Sequence, residues 1–163
     1  MSNASPNPED FRALLKTLSS IPTNGRSHRH DLEVALAELT GRDHAIAIAS
    51  SEQAIPLVLK AMGMSSSKRI IVPALGDPVI LRAAHTMQLR IDYAECDPGT
   101  LDPTAESIAP HLHTETGVAL ISHGDGWGTG FPGVLLMSAQ NEIPLIELVG
   151  TRLGGQCSGA PFG

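Results

Sequence analysis

The sequence predicts an α/β protein, a three-layer α/β/α arrangement in which a mainly parallel, five-stranded sheet is covered by helices on both faces. Two observations predict it. Short runs rich in β-branched residues recur along the chain: HAIAIAS (44–50), RIIVP (69–73), RIDYAE (90–95), GVALIS (117–122) and IPLIEL (143–148). A segment of helix length separates each run from the next, and such alternation requires parallel strands joined by right-handed crossovers. At 163 residues the chain can bury the core of one domain.

Taken in order, MSNASPNPED is a polar lead-in, residues 11–18 have helical spacing, and SSIPTNGRSHRH (19–30) is a loose connection. Residues 1–30 are therefore expected to be an N-terminal helix with its lead-in, and 31–163 the α/β domain, the whole forming a single domain. A helix over about 31–39 should be closed by Gly41. After the first strand, SSEQAI opens a helix with Ser50 as N-cap and Gln53 three residues on, the spacing of a capping box. Backbone N–H groups there could instead hold a phosphate. Glu52 decides for the cap, because a carboxylate beside a phosphate repels it by roughly 4 kcal/mol at 4 Å in a surface-like dielectric. Pro56 removes a further N–H. After the second strand, Asp77 followed by Pro78 is an N-cap with proline at the first helical position.

The loop after the fourth strand, SHGDGWGTGFPG (122–133), contains GTGFPG, and Glu147 follows Gly128 by nineteen positions, the spacing of a dinucleotide fingerprint. The first glycine nevertheless lies several residues past the strand, and Pro132 interrupts the motif. Ser122, His123 and Asp125 are triad residue types, but near neighbours on one extended segment rarely converge. His123 and Asp125 form a candidate pocket, because ligands of parallel sheets lie beyond the carboxyl ends of the strands.

With 17 acidic against 11 basic residues, the net charge of −6 excludes nucleic acid or an anionic membrane as the main partner. No window approaches the roughly 18 apolar residues of a membrane span. Cys96 and Cys157 are too few for a disulfide framework and belong to no CxxC motif, which suits a reduced cytoplasm. Apolar residues are 42% and charged residues 17%, the latter below the usual quarter, so surface is available for a homodimer interface. His28 with His30, and His111 with His113, stand two apart rather than in the i, i+4 spacing of a helical metal site, and no metal is expected.

Several motifs together resemble the amino-terminal half of the large domain of DegT/StrS-type sugar-nucleotide aminotransferases, a pyridoxal-phosphate (PLP) family of the aspartate-aminotransferase fold. LEVALAELTGRDHAIAIASSEQAI is similar to the family's run of Glu, helix, Gly, strand and Ser-Gly-Thr-x-Ala-Leu. RIIVPAL resembles its Ile-Val-Pro strand, AECDPGTLD its Asp-x-Asp-Pro-x-Thr-Leu turn, SHGDG its His-x-x-Gly, and NEIPLIELVGTRLGG its fifth strand with the Glu-Asp-x-Ala-Gln-x-x-Gly ending. The match runs from Leu32 to Gly155. The resemblance implies a truncated large domain, a homodimer with sites at the subunit boundary, and a sugar nucleotide as the possible small-molecule ligand.

The resemblance also implies where PLP would be held, and these positions are degenerate. The Asp that pairs with the pyridine nitrogen falls at Leu148, which carries no counter-charge. The aromatic residue stacking on the ring falls at Asp77, and the Gly-Thr gripping the phosphate, next to Ser50, at Ser51 and Glu52. Thr151 stands where the family has Gln. The family's Schiff-base lysine follows two strands later, whereas Lys16, Lys60 and Lys68 lie elsewhere. No cofactor is therefore expected, and the chain reads as a shortened, non-catalytic relative with a binding or scaffolding role. One half of a split PLP-dependent aminotransferase, or a nucleotide- or NAD(P)-binding α/β domain using GTGFPG, are the alternatives. Because the family places two strands between the first and the fifth, residues 44–50 should pair with 143–148, or a second subunit should fill the gap.

Overall fold

Each strand of the sheet sends alternate side chains into two apolar clusters, one on either face, and these clusters fix the fold. The computed structural model describes residues 28–122 and 131–148. The chain divides into two compact units, residues 1–47 and 48–163.

In the first unit, α1 spans His28–Thr40 and includes the expected 31–39. Gly41, at φ 66°, ends it as expected. Arg29 Nε lies 3.2 Å from Glu33 Oε1 one turn on, and the same oxygen accepts from the Ala47 N–H at 2.9 Å. No residue of α1 is buried. The helix expected over 11–18 falls outside the described residues.

The second unit runs α2 (Ser51–Ala61), β1 (Arg69–Pro73), α3 (Pro78–Thr86), β2 (Arg90–Ala94), α4 (Ala105–Ile108) with a 3-10 turn (Ala109–His111), β3 (Thr116–Ser122), α5 (Phe131–Gln140) and β4 (Leu145–Leu148). Its sheet has the order β2-β1-β3-β4, and every pairing is parallel. Ile70, Val72, Val118, Leu120 and Ile146 pack with Ile55 and Leu59 of α2 and Val79, Ile80, Ala83 and Ala84 of α3. Ile71, Ala119, Ile121 and Leu145 pack on the other face with Ile108 and Val134. Helices therefore cover both faces, as the near-continuous apolar runs require of a parallel sheet.

The described sheet has four strands where five were expected. The run at 44–50 forms no strand, so its expected pairing with 143–148 is not made. A strand is held by its ladder of backbone hydrogen bonds and by the face it buries. Here Ile46 is 77% exposed, and the alanines beside it offer little apolar area, so alternation alone does not make a strand. Between β1 and β3 the register shifts, from Arg69↔Thr116 to Ile70↔Val118. Gly117 is the extra residue, and a Cβ there would overlap Sδ of the buried Met64.

Candidate functional site

The crevice of an open parallel sheet lies beyond the carboxyl ends of its strands, here Pro73, Ala94, Ser122 and Leu148. Ser122 and Leu148 are register partners on β3 and β4, so both stand at that rim. Leu148 is half-buried and packs, with Ile146, against the apolar cluster beneath α2 and α3. Leu145 belongs to the opposite cluster, and the strand's alternation sends the buried Glu147 to that same opposite face. The two neighbours thus serve different faces.

Asp77 is committed elsewhere. Its Oδ1 accepts from the Val79 N–H at 2.9 Å, capping α3 with Pro78 in the first turn, as its sequence context indicated.

At the amino end of α2, Ser50 has the extended backbone of an N-cap, but its side chain makes no cap hydrogen bond. The expected capping box with Gln53 is therefore not formed. Its physical reason lies in the backbone: the Gln53 and Ala54 N–H groups already donate to the Ser50 carbonyl, at 3.1 and 3.0 Å. Glu52 turns outward to Arg82 of α3, with Oε1 2.8 Å from Nη2. Both side chains are more than half exposed, at 59% and 61%. Sequence reasoning missed Arg82, because nothing local links it to a residue thirty positions earlier on another helix.

Beyond β2 a recess of about 340 Å³ is lined by Glu95, Cys96, Asp97, Thr104, Glu106 and Ser107. Asp97 accepts from the Thr100 and Gly99 N–H groups, both at 2.9 Å, which holds its carboxyl below the usual carboxylate range. The Glu106 carboxyl is lowered by its own backbone N–H and by Thr104. The turn is the one expected of CDPGT, and its carboxylates serve the backbone.

His123, Asp125 and Thr151 lie outside the described residues. The helix Phe131–Gln140 contains the last three residues of GTGFPG, Gly133 among them, and Gly128 lies outside the described residues, six positions after the end of β3. A dinucleotide fingerprint instead needs its first glycine in the tight turn leaving the strand. Among the described residues, no group of three or more His, Cys, Asp or Glu is arranged to hold a metal ion, and no helix is long and apolar enough to cross a membrane.

The UDP-4-amino-4-deoxy-L-arabinose–oxoglutarate aminotransferase of Shewanella sediminis is 23% identical over 157 residues, covering 95% of this chain and 40% of that protein. The solved structure of an aminotransferase from Psychrobacter cryohalolentis matches with a TM-score of 0.80 at 20% identity, over 90% of this chain and 38% of that one. The E. coli GDP-4-keto-6-deoxy-D-mannose-3-dehydratase, solved with bound hydrated PLP, matches with a TM-score of 0.78 at 20% identity, over 97% of this chain and 43% of that one. The chain thus spans about 40% of the length of the relatives it matches. A model of the DegT/DnrJ/EryC1/StrS aminotransferase family matches residues 6–163, and the chain belongs to that family.

Proposed function

We propose that this chain is a non-catalytic relative of the sugar aminotransferases, with a binding or scaffolding role. Packing of Leu148 carries the reading. A pyridinium ring acts as an electron sink only while an acidic partner keeps its nitrogen protonated. At the β4 position that the family resemblance assigns to this partner stands a leucine facing an apolar cluster, and the nearest carboxylate on the strand, Glu147, serves the other face. Asp77, at the stacking position, supplies a helix cap and no aromatic surface. These residues do not fit PLP.

Incubation with PLP and an amino donor tests the reading. No borohydride-trapped adduct and no keto-acid release are expected; tight, trappable binding with turnover would overturn it. Leu148→Asp should not by itself create turnover, since the stacking and phosphate-end residues stay altered, and should lower the melting temperature by placing a carboxylate against apolar side chains.

A second reading, part of a split aminotransferase, is favoured by apolar side chains left uncovered: Leu32, Val34 and Leu39 of α1 are each more than 40% exposed, and Ile46 is 77% exposed. The same surface suits a homodimer. Light scattering distinguishes a dimer from a monomer, and co-purification with a lysine-bearing polypeptide that restores transamination would promote the split reading over the first.

A further inference from the structure

We draw no further inference here: the strongest candidate, the groove of about 400 Å³ between α1 and the segment that follows it, lined by Glu33, Val34, Ala37, Asp43, His44 and Ile46, is an apolar face for which nothing in the structure shows what covers it.

Discussion

Asp92 has a side chain only 10% exposed and takes a two-pronged contact from Arg69 across β1 and β2, with Nε to Oδ2 at 2.7 Å and Nη2 on Oδ1. The guanidinium is the main reason the carboxyl is held below the usual carboxylate range, with His113 and His111 adding to it and burial opposing it. A carboxyl whose folded-state pKa is depressed stabilises the fold at pH above its unfolded value, and the contribution is lost as pH falls through the folded value. Asp92→Asn should therefore lower the urea midpoint at neutral pH while flattening the decline of that midpoint below about pH 5. Parallel acid profiles for the two proteins would refute this assignment. The pair illustrates what single residues disclose. Asp77-Pro78 announced a cap because donor, acceptor and proline are adjacent, and Leu148 stood out because its role depends on its own charge. Arg69–Asp92 and Glu52–Arg82 each join residues more than twenty positions apart, and only strand order and helix packing bring them together.

The helix ends share one construction. After α1, α2, α3 and α5 the chain passes through a left-handed residue, respectively Gly41, Gly63, Gln88 and Glu142, at φ between 54° and 73°. The next N–H returns to a carbonyl five residues back: Arg42 to Ala37, Met64 to Leu59, Leu89 to Ala84 and Ile143 to Ser138. Glycine marks two of these stops in the sequence, whereas Gln88 and Glu142 give no signal, because the bonds override the residue's preference. A left-handed non-glycine costs about 1–2 kcal/mol, partly offset by the entropy glycine loses on folding. Gln88→Gly and Glu142→Gly should each stabilise the protein by about 0.5–1 kcal/mol, read from the denaturant midpoint at constant slope. The bulge at Gly117 gives the opposite expectation. Gly117→Ala should destabilise by about 1–3 kcal/mol through overlap with Met64, and Met64→Ala in the same chain should remove that overlap. Strand prediction followed the same logic: the runs at 69–73, 90–95, 117–122 and 143–148 bury faces and hold, while 44–50 has the right pattern without a face to bury.

The described parts of the two compact units bury side chains unequally, and a whole-molecule measurement can read the difference. In residues 48–163 the central strands carry Ile70, Ile71, Val118, Ala119 and Leu120, all no more than 1% exposed, between helices on both sides. In residues 1–47 the described helix has no buried residue, and its local interactions include one exposed i, i+4 ion pair, worth about 0.3–0.5 kcal/mol, and the Glu33–Ala47 hydrogen bond. A thirteen-residue helix with so little burial is marginal in water. Amide hydrogen exchange at low protein concentration should therefore find α1 exchanging more than about a thousandfold faster than β1 and β3, since the strands open only with the global unfolding of their unit. Equal protection of α1 and β1 at every concentration would refute the view that the described helix is held so much more weakly than the strands. If α1 becomes protected as concentration rises while β1 does not change, a second copy is covering Leu32, Val34 and Leu39, because association stabilises by mass action what burial within one chain leaves open.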